Sequence, residues 1–362
     1  MNILVLTPKG NSFNSIRPEA EIYVSLAKAG HNVTIMTNKE SKYIQRYLEH
    51  NVEVIETEHK KKIDFSIIKK THNIIKDKDI DIVFATSSRT IPNAAFACIG
   101  TRAKLVAYRG TTGGLYRHDP ASYLNILHPR VDGVICVSQA INRHVSKQVF
   151  SDAKKIVTIQ KGHDESWYKQ NSLDLKEFGT NTDNFNIVFV ANVRPHKGLI
   201  YAIEAAKYLA DITDLHILLI GSKIEQEPYI SAIENSGMKE RIHVTGYRHD
   251  VPDIMAACDL LIHPSIRKEG LPRVVLESIA SGTPVIAAEN EGSMEVIEDG
   301  FNGYIVPIKD SKAIAQKVRE LYERPEKLQE LSNNCIYKIQ NEMSHKTTVA
   351  KYIKYFESLL KS

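Results

Sequence analysis

The sequence predicts an α/β protein built from two doubly wound parallel sheets, one in each half of the chain. Its 362 residues, 43% of them hydrophobic, exceed what one hydrophobic core usually organises. Short runs of β-branched residues alternate with amphipathic stretches, which is the pattern of parallel strands covered by helices on both faces. Because both halves show this alternation, we expect two domains, with ligands bound at the carboxyl ends of the strands in a cleft between them.

Seven strands and a first helix are predicted in the first half. The helix covers Pro18–Ala29 and stops at Gly30, since glycine readily ends helices. The predicted strands are Ile3–Leu6, Val33–Met36, Val52–Ile55, Ile82–Ala85, Leu105–Tyr108, Val134–Val137 and Ile156–Ile159.

The second half carries six predicted strands and ends in helices. The polar stretch Asp164–Asn184 is the predicted linker, so we divide the chain into a first domain of residues 1–165 and a second of residues 166–345. The predicted strands are Ile187–Val190, Leu215–Ile220, Ile242–Val244, Leu260–Ile262, Val285–Ala288 and Tyr304–Val306. The closing helices are Ala313–Tyr322, Pro325–Gln340 and Thr347–Leu360.

The composition excludes several classes of protein. Glycine and proline, at 18 and 13 residues, are close to average, which excludes collagen-like and low-complexity chains. The four cysteines match neither a disulfide framework nor a zinc-site spacing, so we expect a reducing, cytoplasmic compartment. Because no apolar run is long enough for a membrane span and the first residues lack signal-peptide features, we expect a chain that is neither exported nor embedded.

Positive charge is concentrated in the first half. Residues 1–165 carry 24 Lys and Arg against 16 Asp and Glu, whereas residues 166–362 carry 23 against 27. A basic domain suits an acceptor with phosphate groups or an anionic bilayer, and the surplus is too small to indicate nucleic acid. Within it, Lys60–Lys78 mixes isoleucines with lysines, which predicts a helix that covers the sheet, with a helix lying on anionic lipid as the alternative.

Two acidic residues follow a predicted strand in the segment HPSIRKEGLPRVVLESIASGTPV. Glu269 and Gly270 lie in a loop, Pro272 suits the first position of a helix, and Glu277 comes five residues later. Five helical residues rise roughly 7.5 Å, about the length of a diphosphate. The two carboxylates could therefore reach opposite ends of one ligand, while the N–H groups of Leu271–Val275 meet anionic oxygens. A loop carboxylate and a solvated helix carboxylate are the alternative.

Two basic residues follow another predicted strand in the segment IVFVANVRPHKGLIYAIEAAK. Arg194 and Lys197 lie in the loop between this strand and a helix. Cations at the carboxyl end of a strand are placed to clamp phosphate, arginine through its planar fork and lysine as a point charge. An ordinary solvated loop is the alternative.

Together, these segments resemble the nucleotide-sugar half of the retaining glycosyltransferases of family 4, which have the GT-B fold. The matching features are Arg194-x-x-Lys197-Gly198, the E-x7-E pair Glu269 and Glu277, and ESIASGTPVIA followed by EVIEDGFNGYIV. Looser matches at KAGHNVTIMT, RVDGVICVSQA, VTIQKGHDESWY and VTGYRHDVPDIMAACDLLIHPS extend the resemblance to almost the whole chain.

The resemblance implies an enzyme that transfers a sugar from a UDP-, GDP- or other nucleoside diphosphate sugar to a hydroxyl of a glycan or lipid-linked acceptor. It implies retention at the anomeric carbon, a role in polysaccharide or lipopolysaccharide biosynthesis, and a place in the cytoplasm or peripherally on the inner face of the cell membrane. An epimerase on the same fold and a non-catalytic nucleotide-sugar-binding protein remain open alternatives.

The resemblance also implies roles for individual residues. Arg194 and Lys197 would stabilise the β-phosphate of the leaving group, Glu269 would bind a donor-sugar hydroxyl and Glu277 the ribose. The other implied donor-binding residues are Gly270, Leu271 and Pro272 in the loop, and Tyr247 and Arg248 beside the base. The last helix, residues 346–362, would pack back on the first domain.

Neither a metal nor another cofactor is expected. Asp77-x-Asp79-x-Asp81 looks like the D-x-D motif with which another glycosyltransferase class holds a divalent cation. We reject this interpretation because these aspartates precede the strand Ile82–Ala85 and thus lie at its amino end, whereas ligands gather at carboxyl ends. The chain also lacks G-x-G-x-x-G, which counts against a dinucleotide-dependent dehydrogenase.

The first half departs from the family pattern in two loops. The loop after the first strand carries Gly10 alone, where relatives have a glycine pair; it could let the backbone approach the donor diphosphate, or simply be flexible. The segment RGTTGGLYRHD stands where many relatives place a catalytic histidine. Its candidates for meeting the acceptor are Arg109, Arg117 and His118, and His118 is the catalytic candidate; a flexible surface loop is the alternative.

Overall fold

The structure, a computed structural model, describes residues 1–8, 13–150, 155–168, 173–267 and 269–361. It divides into two compact units, the first formed by Met1–Gly162 with His345–Ser362 and the second by His163–Ser344. Each unit contains one parallel sheet with helices around it. The predicted fold class is confirmed, and every predicted strand is present to within three residues at either end.

The first unit is built on a seven-stranded sheet in the order β3-β2-β1-β4-β5-β6-β7. Its strands are Asn2–Leu6 (β1), Asn32–Thr37 (β2), Glu53–Glu56 (β3), Ile82–Ala85 (β4), Lys104–Arg109 (β5), Val131–Cys136 (β6) and Lys155–Thr158 (β7). Its helices before the domain boundary are Phe13–Lys28 (α1), Ile44–Glu49 (α2), Phe65–Asp77 (α3), Thr90–Ala97 (α4), Pro120–Tyr123 (α5) and Gln139–Gln148 (α6).

The first helix begins earlier than predicted. It starts at Phe13 rather than Pro18, so Pro18 lies inside it, and Gly30 ends it with a φ of 86°. Pro18 lies beyond the first four N–H groups, which have no partner within a helix, so it removes one intrahelical hydrogen bond in the second turn of α1.

The second unit is built on a six-stranded sheet in the order β10-β9-β8-β11-β12-β13. Its strands are Phe185–Val190 (β8), Leu215–Ile220 (β9), Ile242–Gly246 (β10), Leu260–His263 (β11), Val285–Ala288 (β12) and Gly303–Val306 (β13). Its helices are Leu199–Ala206 (α7), Tyr229–Glu234 (α8), Val251–Ala256 (α9), Arg273–Ala280 (α10), Glu291–Met294 (α11), Ser311–Glu323 (α12) and Pro325–Asn341 (α13).

The last helix, His345–Leu360 (α14), belongs to the first unit. Tyr352 and Phe356 are fully buried there and pack against Phe84 of β4, with ring centroids 5.8 and 6.0 Å away. The hydroxyl of Tyr355 donates to the carbonyl of Lys155 and fits over Gly133, where any side chain would collide with it. Burial of these aromatic rings fixes the chain terminus to the first sheet.

The predicted linker is wrong as a connection between units. The described parts of Asp164–Asn184 lie in the second unit, where Tyr168 and Leu175 are buried in its core. This stretch is mostly polar, but its few apolar side chains are enough to pack it against the core of the second unit.

Both sheets have one topological switch point, where the chain reverses the direction in which strands are added. In the second unit this point lies between the neighbouring strands β8 and β11. The loops that leave the carboxyl ends of these strands diverge there, and ligands of open α/β sheets bind in the crevice they form. The predicted phosphate clamp follows β8 and the predicted acidic pair follows β11, so both segments are at this switch point.

Candidate functional site

The candidate site is formed by two loops of the second unit, Ala191–Gly198 after β8 and Pro264–Pro272 after β11. The backbone N–H of Ile266 donates to the carbonyl of His196 at 2.9 Å. Because the two strands are hydrogen-bonded neighbours, the loops meet directly at the carboxyl edge of the sheet.

Gly198 permits the close approach of these loops. Its φ is 73°, a conformation that favours glycine. A Cβ there would lie 2.1 Å from the carbonyl oxygen of Pro264, so no other residue fits without moving a backbone. The glycine therefore sets the distance between the basic loop and the acidic loop.

Replacing Gly198 with alanine is expected to destabilise the protein by at least about 3 kcal/mol, from backbone strain and overpacking. Gly300→Ala is the matched control, because Gly300 has the same positive φ but open space around its Cβ position. It should lose only about 1 kcal/mol. Urea denaturation checks both, and equal losses would show that the Pro264 contact does not limit the loop distance.

A lysine and a glutamate form a close ion pair between the loops. Lys197 Nζ lies 2.6 Å from Glu269 Oε1, and the side chains are 27% and 9% exposed. The hydroxyl of Ser265 donates to the same oxygen at 2.6 Å. Oε1 is thus saturated, whereas Oε2 of Glu269 accepts no hydrogen bond from the described residues. Oε2 is therefore the atom available to a ligand hydroxyl.

The charge state of Glu269 follows from these neighbours. Burial opposes its ionisation, but electrostatic interactions with His263 and Lys197, together with hydrogen bonds from Lys197 and Ser265, bring its pKa below the usual value. The carboxylate is ionised at neutral pH. An ionised, nearly buried carboxylate with a free oxygen is a strong hydrogen-bond acceptor.

His263, which ends β11, completes the surroundings of the carboxylate. Its Nε2 lies 3.7 Å from Glu269 Oε1 and has no hydrogen-bond partner among the residues described. Burial lowers the pKa of His263 to about 4, so the ring is neutral at neutral pH. Neither His263, the last residue of the strand, nor Ser265, two residues beyond it, was among the binding residues predicted from the sequence.

A third loop supports the acidic loop from behind. The side-chain amide of Asn290 donates to the carbonyl of Ser265 at 2.9 Å. At Gly292 a Cβ would lie 2.8 Å from the carbonyl oxygen of Glu269, so α11 packs directly on that residue. These supports were not predicted, because nothing in the spacing of Asn290 and Gly292 connects them to Glu269.

The helix after the acidic loop differs slightly from the prediction. Pro272 is the residue before the first turn of α10, not the first helical residue, and Arg273 follows it. Glu277 is 5% exposed, and its Oε1 lies 3.3 Å from Nε of Arg273. Gly270 and Leu271, half-buried, connect Glu269 to this helix start.

The other predicted donor-side residues differ in their surroundings. Arg194 is exposed, and its side chain forms no hydrogen bond or ion pair with described residues. Tyr247 is 57% exposed and makes an edge contact with His249. Arg248 is bonded to Asp250 through two nitrogens and also pairs with Glu177 at 3.1 Å. Its guanidinium therefore ties two loops of the unit together.

The predicted acceptor-side arginines hold the first unit's own backbone. Arg109 donates to the carbonyls of Thr111 and Gly113. Arg117 donates to the carbonyls of Gln148 and Val149 at the end of α6, each at 3.0 Å. Both guanidinium groups are thus bonded to carbonyl oxygens of the first unit, and their contact with an acceptor stays a prediction.

His118 is the exposed candidate in this loop. Its ring stacks on Tyr116 with centroids 5.3 Å apart. Gly10, the remaining prediction in the first unit, lies outside the described residues.

The Asp77–Asp81 segment lies at the amino end of the first sheet, which is the placement expected from the sequence. Asp77 ends α3, and Asp81 Oδ2 accepts the backbone N–H of Asn2 at 2.7 Å, at the amino end of β1. Within the described ranges, no three metal-ligating side chains lie close enough together to hold an ion. In the same ranges, no helix is both long and apolar enough to cross a bilayer.

Two protein-family models match consecutive parts of the chain. Residues 20–167 match Glycosyltransferase Family 4, and residues 171–338 match Glycosyl transferases group 1. The match boundary lies close to the boundary between the two structural units.

Curated relatives match at low to moderate identity. The chain is 33% identical over 152 residues to a putative glycosyltransferase EpsD of Bacillus subtilis, covering 42% of this chain and 40% of the relative. It is 27% identical over 216 residues to the UDP-Gal:alpha-D-GlcNAc-diphosphoundecaprenol alpha-1,3-galactosyltransferase of Escherichia coli, covering 58% and 55%. The matches thus span about half the length of each of these two relatives.

A solved structure shares the fold along the whole chain. The Anabaena protein Alr3699/HepE, crystallised with UDP, superposes with a TM-score of 0.80 at 22% identity, covering 99% of this chain and 100% of that one. This chain therefore shares its fold with a protein that was crystallised with UDP.

Proposed function

Because this chain belongs to the family 4 glycosyltransferases with the GT-B fold, we propose that it transfers a sugar from a nucleoside diphosphate sugar to a hydroxyl of a glycan or lipid-linked acceptor, with retention at the anomeric carbon. The observation that carries the proposal is the 2.6 Å pair of Lys197 and Glu269 at the switch point of the second sheet. One cation and one carboxylate with a free oxygen suit a phosphate and a sugar hydroxyl held side by side.

In the proposed reaction, the acceptor oxygen forms a bond to the anomeric carbon while the bond to the β-phosphate oxygen breaks. The nucleoside diphosphate leaves with the electron pair of the broken bond, and the proton of the acceptor hydroxyl passes to an oxygen of the leaving phosphate. Negative charge therefore develops on the diphosphate, where Lys197, Arg194 and the backbone N–H groups at the start of α10 would stabilise it. These groups would act without a metal ion.

Glu269 would orient the donor sugar. Its Oε2 is available to accept a sugar hydroxyl, while Oε1 stays bonded to Lys197 and Ser265. The same carboxylate would thus connect the position of the sugar to the position of the cation that meets the phosphate. Glu277, which is buried in α10, would accept a hydrogen bond from a ribose hydroxyl. Gly270, Leu271 and Pro272 would line the path between them.

The proposed acceptor carries a lipid or phosphate group. On the acceptor side, His118 is the proposed catalytic residue. Support comes from the net positive charge of residues 1–165 and from the Escherichia coli relative, whose name specifies a diphosphoundecaprenol-linked acceptor. We propose accordingly that the protein works in the cytoplasm, against the inner face of the membrane, in polysaccharide or lipopolysaccharide assembly.

Product analysis tests the proposed function. The protein is incubated first with UDP-sugars, because a structural neighbour was crystallised with UDP, and then with GDP-sugars. Release of nucleoside diphosphate should be much faster when an acceptor is present than without one. NMR of the product linkage should show the anomeric configuration of the donor. An isomerised sugar formed without acceptor would identify an epimerase instead, and binding without any product would identify a silent binding protein.

A further inference from the structure

The segment between β3 and α3 exposes two apolar side chains among lysines. Phe65, the first residue of α3, is 83% exposed, and Ile63 is 36% exposed. We call residues 60–70 the basic platform. Its exposed lysines are Lys60, Lys61, Lys62, Lys69 and Lys70. An almost fully exposed phenylalanine and an exposed isoleucine two residues away thus lie among five exposed lysines.

The basic platform is held rigidly from below. Asn93 of α4, which is fully buried, accepts the backbone N–H of Asp64 at 2.8 Å and donates to the carbonyl of Lys61 at 3.2 Å. The side chain of Asp64 caps α3 by accepting from the N–H groups of Ser66 and Ile67. The backbone on either side of Ile63 is thus anchored to α4 and α3, so burial of Ile63 and Phe65 in a partner requires little ordering of the main chain.

The core does not use these two side chains. The inner face of α3 is formed by Ile67, Thr71, Ile74 and Ile75, all buried. The prediction that the isoleucines of Lys60–Lys78 cover the sheet is therefore confirmed for three of them, whereas Ile63 is left outside. Ile63 and Phe65 therefore lie outside the hydrophobic core.

The lysines of the basic platform are largely uncompensated. Lys61, Lys62 and Lys69 form no ion pair with any residue in the described ranges. Lys60 pairs with Glu58, and Lys70 donates to the carbonyl of Glu56 at 3.4 Å. Cations that surround an apolar tip match the charge and depth profile of an anionic bilayer surface, where phosphates lie above acyl chains.

We propose that the basic platform docks the first unit on an anionic phospholipid surface. Ile63 and Phe65 enter the boundary between head groups and acyl chains, and the lysines pair with lipid phosphates. This docking rests on the proposed function, because it would bring the enzyme to a lipid-linked acceptor. The loops after β3 and β5 leave the same edge of one parallel sheet, so docking presents the edge that carries His118 to a lipid-anchored acceptor.

Flotation with vesicles of phosphatidylglycerol and phosphatidylcholine tests this docking. The wild type should float at low salt, and high salt should weaken the binding by screening the lysines. The double variant Ile63→Ala/Phe65→Ala should bind about tenfold more weakly, as expected for losing two interfacial apolar side chains. Each substitution of Lys61 or Lys62 by alanine should weaken binding roughly fivefold.

The matched control is Ile99→Ala. Ile99 belongs to the same unit, is 55% exposed, and lies between α4 and β5, at the amino edge of the sheet and thus opposite the edge that the loops after β3 and β5 leave. This variant should float like the wild type, which separates the effect of the basic platform from the general loss of an exposed apolar side chain.

Three results would overturn the docking proposal. These are a wild type that stays in solution at low salt, a double variant that floats as well as the wild type, and a double variant that changes its oligomeric state in size-exclusion chromatography without losing vesicle binding. The last would identify a self-association surface. Because the assay contains no nucleotide sugar, its outcome is independent of whether the chain transfers a sugar.

Discussion

Replacing Lys197 with alanine is expected to lower kcat by two to three orders of magnitude, the usual effect of removing one fixed group that stabilises charge in a transition state. The cation lies in the loop after β8 and contacts Glu269 at 2.6 Å, so its loss also frees the carboxylate that would orient the sugar. The fold should survive, because the Lys197 side chain is 27% exposed and no described core cluster includes it.

Steady-state kinetics with a donor and acceptor pair identified by product analysis checks this prediction. Lys207→Ala is the matched control, since Lys207 is an exposed lysine at the end of the helix that follows the same loop. It should leave kcat and the urea midpoint unchanged, whereas Lys197→Ala should stay folded without urea but unfold at a lower urea concentration, because it leaves the Glu269 carboxylate without its ion pair. Near-normal turnover of Lys197→Ala would remove the proposed phosphate contact from the reaction.

Replacing Glu269 with glutamine is expected to lower kcat/KM by about two orders of magnitude or more. The amide keeps the shape of the side chain but removes the negative charge, and with it the strong acceptor for a sugar hydroxyl and the partner of Lys197. Because its neighbours hold the pKa of Glu269 below the usual value despite burial, the ionised carboxylate stabilises the folded state at neutral pH, and the neutral variant should unfold at a lower urea concentration than the wild type.

Glu289→Gln provides the control for this change. Glu289 is an exposed carboxylate in the neighbouring loop, directly after β12. Its substitution should leave the kinetics within twofold of the wild type. If Glu269→Gln shows the same small effect, the sugar is oriented by other groups, and the free oxygen of Glu269 has no part in donor binding.

The positions of the strands along the chain and the two phosphate-site segments could be predicted because they depend on local patterns. Buried parallel strands leave continuous apolar runs, and the loops after β8 and β11 are marked by the charged residues Lys197 and Glu269. Once these strands are neighbours at the switch point, the proximity of their loops follows from the topology.

The surroundings of the carboxylate could not be predicted in the same way. Ser265 and His263 were visible as residues that precede Glu269, but their bonding depends on how the loop folds back on itself. Asn290 and Gly292 come from a different loop, and Gly198 acts through the space it leaves empty beside Pro264. No motif or regular spacing in the sequence connects these residues to the contacts they make.

The arginines of the first unit show a second limit. Arg109 and Arg117 stand in a glycine-rich loop, which suggested a binding role, yet both bond to backbone carbonyls. A carbonyl is present at every residue, so a sequence cannot indicate which of them will need a donor. Long loops expose many such groups, and arginine, with five N–H donors, satisfies several at once.

The most direct measurement of the central claim compares a nucleoside diphosphate with the matching monophosphate by calorimetric titration of the wild type and Lys197→Ala. If Lys197 holds the terminal phosphate of the leaving group, the wild type should bind the diphosphate at least about tenfold more tightly, as expected for a charge-assisted hydrogen bond of about 1.5–3 kcal/mol. The variant should lose most of this preference, and Arg194 with the N–H groups at the start of α10 should account for what remains. Retention of the full preference for the diphosphate in Lys197→Ala would contradict the account, because the second phosphate would then be recognised elsewhere.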